Sequence, residues 1–421
     1  MAEPLPPRHV LLAGISTRAM ADSAARAGFA VTAIDAFGDL DQHAAVRSLS
    51  LRRDLDAPVS AAAAARAAHG IASDAVAYGS NFENHPSAVR SLAVGRSLWG
   101  NPPEVLRRVR DPRLVSETLA GRGVPGPAVR VRPVDDADPS SAFSRTRSAS
   151  SASSISAFSA SSSGSDRWLV KPLASGGGHR VRPWRPGTRI PHGCYLQELV
   201  DGMSGSVVFV AAGGRAVPLG ISRQLAGEGA FGASGYRYCG NILPSAEDRV
   251  FPCDRALVDA AGTLASVVAA EFGLVGVNGI DFVARGASLY AIEVNPRWSA
   301  SMELVERASG LSMFGAHAAA CTAGTLPIFD LARERRRVRA IGKAVVFARR
   351  SVVTGDTRAW LADPDVRDVP HPGERIPAGR PVCTVFAEAD DAAACRMALA
   401  RRADAVYAEL AGREDSMVRT R

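Results

Sequence analysis

The apolar positions of the first hundred residues fall into short runs separated by helical patterns. Val10 to Ala13 reads as a buried strand, and Gly14-Ile-Ser-Thr-Arg18 reads as the turn that follows it. Ala19 to Ala27 has a helical pattern stopped by Gly28, and Phe29 to Ile34 is the next strand, ending at Asp35. Ala61 to Ala68 follows as a helix, then Ala75 to Tyr78 as a strand that runs into Gly79-Ser-Asn-Phe-Glu-Asn84. Strands alternating with helices predict a parallel sheet covered by helices, with ligands at the C-terminal ends of its strands. Gly14 to Arg18 lacks the GxGxxG spacing of a dinucleotide site.

Asn101-Pro-Pro marks a boundary, after which Glu104 to Gly121 reads as a helix broken by Pro112. A turn at Gly123 to Pro127 precedes the strand 128–132. From Asp138 to Asp166 the chain is mostly serine and alanine, with too little apolar surface to offset the cost of ordering, and is expected to be a disordered insert. Strand patterns return at 168–171, 195–200, 206–210 and 216–221. Arg255 to Phe272 is a long amphipathic helix ended by Gly273; 278–284 and 288–294 then read as paired strands. Met302 to Ser309 and Phe314 to Cys321 read as helices. Beyond about residue 330 a smaller tail holds strands at 343–347 and 381–385 and a helix over 391–410. The expected parts are 1–103, a Rossmann-like domain; 104–330, a two-lobed domain carrying the insert at 138–166; and 331–421, a small α+β lobe.

Composition narrows the classes. The 421 residues are 47% hydrophobic and 22% charged, as in ordinary globular proteins, and no apolar run approaches the roughly 20 residues that span a bilayer. The first residues lack a basic segment followed by an apolar one, so no signal peptide and a cytoplasmic location are expected. The six cysteines form no CxxC pair, which argues against a zinc site, and a chain with enough apolar residues for real cores does not need a disulfide framework. The net charge of +8 is spread along the chain, with one dense stretch from Arg333 to Arg339 and no aromatic-rich single-strand motif, so nucleic acid is not an expected partner. The basic residues are nearly all arginine; Lys171 and Lys343 are the only lysines. A lysine that survives such a bias suggests a place for a compact charge rather than a wide fork.

Three segments carry candidate chemistry. Glu293 and Asn295, two apart on a strand, share one face, and a hairpin would bring Asp281 alongside. Two carboxylates and an amide oxygen suit magnesium, whose other positions go to phosphates and water; the plain alternative is a polar strand facing solvent. Arg297 follows within reach of a transferring phosphoryl group. Lys171 ends a strand before Ser175-Gly176-Gly177-Gly178, where glycines let backbone N–H groups wrap phosphate oxygens, although the spacing is not that of a Walker loop. Gln197-Glu198-Leu199-Val200-Asp201 offers an acceptor side chain and a backbone edge suited to adenine; it is also an ordinary strand end.

Lysine, a glycine-rich loop, Glu-x-Val, then Asp and Glu-x-Asn-Pro-Arg on late strands resembles the ATP-grasp superfamily over Arg8 to Leu326. Within it the chain looks most like the predicted ATP-dependent carboligases related to biotin carboxylase, at Gly14 to Arg18, Asp35 to Asp41, Gly79 to Asn84 and Glu293 to Glu303. Members of that group are often associated with methanopterin and methanofuran pathways, and a related group joins glutamate to an amine. The resemblance implies an α/β ATP-grasp fold with a Rossmann-like N-terminal domain and a small C-terminal lobe. It implies ATP with magnesium, or manganese in its place, and ligation of a carboxylate to an amine through an acyl phosphate with release of ADP. Carboxylation through carboxyphosphate and a regulatory nucleotide binder are the alternatives. Residue by residue, it implies that Lys171 contacts phosphates beneath the loop Ser175 to Gly178, and that Gln197, Glu198, Leu199 and Val200 hold adenine. Asp281, Glu293 and Asn295 bind the metal, and Arg297 steadies the transition state. Arg113 stands where the family often has an earlier phosphate-binding lysine. Gly205 stands near the usual ribose-binding acid, which leaves Asp201 as the ribose candidate. Arg223, Gln224, Ser299 and Ser301 would line the carboxylate pocket. The expected partners are small carboxylates and amines and a second copy of the chain, with no nucleic acid and no membrane.

Overall fold

The computed structural model describes residues 8–131, 167–249, 251, 255–286 and 288–418; the serine-rich insert expected at 138–166 lies outside them. The N-terminal part is the expected parallel sheet. Its strand order is Val46–Ser50, Ala30–Asp35, His9–Ala13, Ala75–Tyr78 and Ser97–Leu98, every neighbouring pair parallel. The edge strand Val46–Ser50 was not legible because Arg47 and its polar neighbours interrupt any apolar run. The loops leaving the C-terminal ends of these strands are Gly14 to Thr17, Ala36 to Asp41 and Gly79 to Asn84.

The second sheet has eight antiparallel strands in the order Ser288–Asn295, Gly276–Arg285, Met203–Ala212, Arg215–Ala226, Tyr238–Leu243, Ala340–Phe347, Pro381–Ala389 and Val366–Arg367. One face is covered by the helix Arg255–Phe272, whose Leu257, Ala261, Leu264, Val268 and Phe272 recur at helical spacing and pack on Val207, Phe209, Ile280 and Phe282. Burial of that apolar stripe is the main force holding the sheet and helix together. The strand Tyr238–Leu243, absent from the sequence reading, joins the two halves of the sheet. Gly240 and Asn241 hide it by breaking the apolar run, and both have a reason. A Cβ at 240 would lie 2.2 Å from the Lys343 carbonyl oxygen, so only glycine fits there.

A four-stranded sheet, ordered Val129–Val131, Cys194–Glu198, Trp168–Pro172 and Arg182–Pro183, forms the other wall of the cleft. The helix expected over 104–121 is two helices, Pro103–Val109 and Pro112–Gly121. Pro112 cannot continue the first, and the Asp111 side chain caps the second by accepting from the N–H groups of Arg113 (2.9 Å) and Leu114 (3.3 Å). The break leaves Arg110 between the two helices with its side chain turned inward.

Candidate ATP and acceptor cleft

Strand register builds the floor of the cleft. Glu293 lies opposite Asp281, Asp281 opposite Ser206, and Ser206 opposite Ser222. Asn241 Nδ2 donates to Ser222 Oγ (2.9 Å); Asn241 lies opposite both Gln224 and Lys343. A row of polar side chains thus crosses six strands on the face that the long helix leaves open. Period-two alternation sends the intervening residues, Phe282 and Ile280 among them, into the opposite core. A cavity of about 590 Å³ runs over this floor.

At one end, Asp281 and Glu293 face each other across the ladder. Burial first, and then the charge of Glu293, push Asp281 up to about 6. Burial acts upward on Glu293 too, but Arg110 and Lys171 outweigh it and hold that carboxyl below its ordinary value. Arg110 Nη1 donates to Glu293 Oε1 at 2.6 Å, while Arg110 Nη2 donates to the Ser175 carbonyl (2.9 Å) and to Asn84 Oδ1 (3.1 Å). Asn295 Nδ2 donates to Asp281 Oδ2 (3.1 Å), and Asn295 Oδ1 accepts from Arg297 Nη2 (3.1 Å). Arg297 is anchored on Glu83, which is 1% exposed, by an ion pair of 2.7 Å. Among the described residues no group of three or more His, Cys, Asp or Glu is arranged to hold a metal ion by itself. Two opposed carboxylates with an amide oxygen beside them fit magnesium, which takes most of its ligands from phosphates and water and would offset the burial and the Glu293 charge that raise Asp281.

Beside this end sits the glycine loop. The Gly177 carbonyl accepts from Tyr238 N–H (3.0 Å). Gly177 and Gly178 have φ of +61° and +72°, and a Cβ on Gly178 would fall 1.8 Å from the Tyr236 carbonyl oxygen. Only glycine permits this close crossing. Lys171 Nζ, under the loop, donates to Gln197 Oε1 (3.0 Å) and the Ile292 carbonyl (3.3 Å). Gln197 Nε2 donates to that same carbonyl, and Glu198 Oε2 accepts from Ala128 N–H (3.0 Å). Leu199 and Val200 complete the apolar wall.

The cavity gathers most of the sequence-predicted residues: Lys171, Ser175, Gly177, Gly178, Gln197, Glu198, Leu199, Val200, Gln224, Asp281, Glu293, Asn295, Arg297, Ser299 and Ser301. Four do not line it. Gly176 lies just behind, where a Cβ would stand 3.9 Å from both Arg297 Nη2 and Glu83 Oε1. Arg113 points to solvent, its side chain 71% exposed beside Glu117; Arg110 holds the buried position instead. Asp201 is an exposed partner of Arg167. Arg223 alternates away from its cavity-lining neighbour Gln224. At position 205 a Cβ would meet the Phe282 ring at 2.5 Å, so no acid fits there, and Ser204 and Ser206 are the cavity-facing residues on that strand.

Sequence reasoning missed Arg110, Glu83, Tyr238 and Asn241. The helix break before Pro112 was the available signal for Arg110, and the loop after Tyr78 was the signal for Glu83. It also missed the opposite corner of the cavity. There Arg18, 2% exposed, is ringed by Glu303 (2.6 Å), Asp368 (2.9 Å), Asp22 (3.4 Å) and Asp41 (3.6 Å). Lys343 Nζ donates to Glu303 (2.5 Å) and to the Ala300 carbonyl (3.2 Å). Burial acts upward on Glu303, yet Arg18 and Lys343 bring it down to about 2. Tyr238 stands between the two ends, its hydroxyl raised well above its ordinary value by burial and then by charges that include Asp281 and Glu303.

A profile of the ATP-grasp domain matches residues 145–301. No curated protein matches the sequence. Among solved structures, an L-amino acid ligase from Bacillus licheniformis superposes with a TM-score of 0.61 at 15% identity, over 95% of this chain and 98% of that one. The biotin carboxylase domain of a Hydrogenobacter thermophilus 2-oxoglutarate carboxylase, solved with MgADP and bicarbonate, gives 0.62 at 15% identity over 91% and 86%. An N5-carboxyaminoimidazole ribonucleotide synthetase from Thermus thermophilus gives 0.60 at 17% identity over 93% and 97%. At such identities the likeness is one of fold, and the fold agrees with the profile: this chain carries an ATP-grasp domain within an ATP-grasp architecture.

Proposed function

We propose that the protein is an ATP- and magnesium-dependent ligase that joins a carboxylate to an amine and releases ADP and phosphate. The observation that carries this reading is the register of Asp281 against Glu293 in the same cavity as Lys171, the glycine loop and Arg297. Adenine would lie along Gln197 to Val200, with the phosphates between Lys171, Arg110 and the loop. Asp281, Glu293 and Asn295 would hold magnesium, or manganese in its place, which when bound would neutralise phosphate charge. Arg297, fixed by Glu83, would stabilise charge on the phosphoryl group as it passes to the substrate carboxylate. The acyl phosphate so formed loses phosphate when the amine nitrogen attacks its carbon. The protein's part is to position the reactants and to exclude water. Gln224, Ser299 and Ser301 are the candidates for the carboxylate's surroundings.

The L-amino acid ligase among the neighbours supports amide formation; the carboxylases support a second reading, with bicarbonate as the carboxylate. Synthesis of a methanopterin- or methanofuran-type cofactor with an amino acid such as glutamate is the pathway suggested by the sequence resemblance. The division at residues 103 and 330, assembly as a homodimer and a cytoplasmic location belong to this proposal. An ADP-release screen over amino acids and amines, glutamate first, tests it. Turnover is expected only with both substrates and is expected to vanish in Glu293→Gln. Bicarbonate-dependent release without an amine would replace ligation by carboxylation.

A further inference from the structure

The motif Asp35-Ala-Phe-Gly-Asp39-Leu-Asp41 places three acids on one loop, and the structure gives them different tasks. Asp35 is saturated: its carboxylate accepts from Thr17 N–H (2.9 Å), Thr17 Oγ1 (2.8 Å), Phe37 N–H (3.0 Å) and Gly38 N–H (2.8 Å). It ties the turn after the first strand to the turn after the second. Asp41 accepts from Val369 N–H (2.8 Å) and Asp368 N–H (3.2 Å), and so clamps the loop to the C-terminal part. Asp39 differs. It is 8% exposed and lines the cavity, and its Oδ2 has no hydrogen-bond partner.

Neither nearby cation forms an ion pair with it; their ion-pair and hydrogen-bond partners are other acids and a carbonyl. Arg18 donates from Nε to Asp368, from Nη1 to Asp22 and from Nη2 to Glu303. Lys343 is taken by Glu303 and the Ala300 carbonyl. Asp368 is held on its other oxygen by Thr384 Oγ1. Five acids (Asp22, Asp39, Asp41, Glu303 and Asp368) thus gather about Arg18 and Lys343, with Arg26 acting on Asp22 as well, and the unpartnered atom at the corner is a carboxylate oxygen. A buried acid left without a partner is costly, and such groups persist where a ligand completes them. An anion would meet surplus negative charge; a cation with N–H donors would meet what the unpartnered carboxylate oxygen lacks.

We propose that Asp39, with Asp368 and Asp41 near it, is a subsite for a protonated primary amine, through which the acceptor substrate is recognised at the end of the cleft away from Lys171. This rests on the ligase reading for its meaning, while the binding it asserts does not. Burial and then the charges of Asp368, Asp35 and Asp41 push the Asp39 carboxyl well above its ordinary range. An ammonium ion reverses that by compensating the charge. The acceptor is then an amine that keeps a positive charge on entry, and a neutral alcohol of the same length is discriminated against because it leaves the acid uncompensated.

The test is calorimetric titration of the full chain, without nucleotide, with butylamine, putrescine, butanediol and glutarate, on the wild type and on Asp39→Asn. The amines are expected to bind the wild type in preference to the diol and the dicarboxylate. Asp39→Asn is expected to weaken amine binding roughly 10- to 100-fold, the loss of one hydrogen bond to a charged group, and to leave MgADP affinity unchanged. Equal amine affinity in the two proteins, or diol or glutarate binding as tight as amine, overturns the subsite. The wild-type comparison of amine with diol decides the matter even where Asp39→Asn does not fold. Amine selectivity in a protein that fails to bind MgADP would sink the ligase reading and keep the subsite; MgADP binding without amine selectivity would do the reverse.

Discussion

The two ends of the cavity are built from the same materials and balanced differently. Each has a buried arginine paired with carboxylates: Arg110 with Glu293, which faces Asp281, and Arg18 with Glu303, Asp368, Asp41 and Asp22. At the first, one acid is raised to about 6 by burial and by its neighbour's charge. At the second, Glu303 is driven down to about 2 by Arg18 and Lys343 against its own burial. The first end holds a buried acid that a bound cation would relieve of its burial and of its neighbour's charge. The second spends most of its charge on holding the chain together, since Arg18 links the first helix, the loop at Asp41, the helix Ala300–Ser309 and the loop at Asp368. Binding strain and structural cement can thus be told apart by which acids are compensated.

The largest expected effect breaks the cement. Arg18→Met leaves Glu303, Asp368, Asp41 and Asp22 without their common partner, and stability should fall by about 3–5 kcal/mol. Urea unfolding monitored by circular dichroism measures it; a loss smaller than for an ordinary surface arginine would remove the distinction drawn between the two ends.

The next effect has opposite signs at the two ends, in the protein free of nucleotide and metal. The folded-state value of Glu303 is depressed from 4.5 to about 2, so its stabilisation is present above about pH 4.5 and lost as pH falls towards 2. Glu303→Gln should therefore lower stability at neutral pH by roughly 2–3 kcal/mol. Asp281 is raised from 3.8 to about 6, so its ionisation opposes folding as pH rises above 3.8, and the cost is complete above about pH 6. Asp281→Asn should raise stability at neutral pH by roughly 1–3 kcal/mol and change little near pH 4. Unfolding midpoints of the two variants across pH check the signs; a loss of stability in both would show that Asp281 is cement as well.

The smallest effects concern two arginines three residues apart. Arg110→Ala, which releases Glu293 and the Ser175 carbonyl, should weaken MgADP binding roughly tenfold. Arg113→Ala, on an exposed side chain, should leave stability within about 0.5 kcal/mol and MgADP affinity unchanged. Titration of both variants with MgADP sharpens the comparison by fixing which arginine belongs to the cleft.

The same contrast explains what could be read in the sequence. The end at Asp281 and Glu293 was legible because it depends on local rules: Glu293 and Asn295 two apart on one strand, a short hairpin to Asp281, and glycines after Lys171. The parallel sheet was legible from alternating strand and helix patterns, and the helix Arg255–Phe272 from its spacing. The Arg18 corner was not. Its residues come from positions 18 to 41, 303, 343 and 368, and no periodicity connects them. Lys343 stood out only as one of two lysines in an arginine-rich chain; its place opposite Asn241 depends on a strand that Gly240 conceals. Arg113 was favoured over Arg110 because a resemblance fixes a position along the chain, whereas burial is decided by the helix break at Pro112.

Under the proposed function this cleft transfers the terminal phosphoryl group of ATP to a carboxylate. Phosphorus NMR of the products formed with an active carboxylate–amine pair tests it most directly. ADP and inorganic phosphate are expected in equal amounts with the amide product, all abolished in Glu293→Gln. AMP and pyrophosphate, or amide formation that survives that substitution, would contradict it.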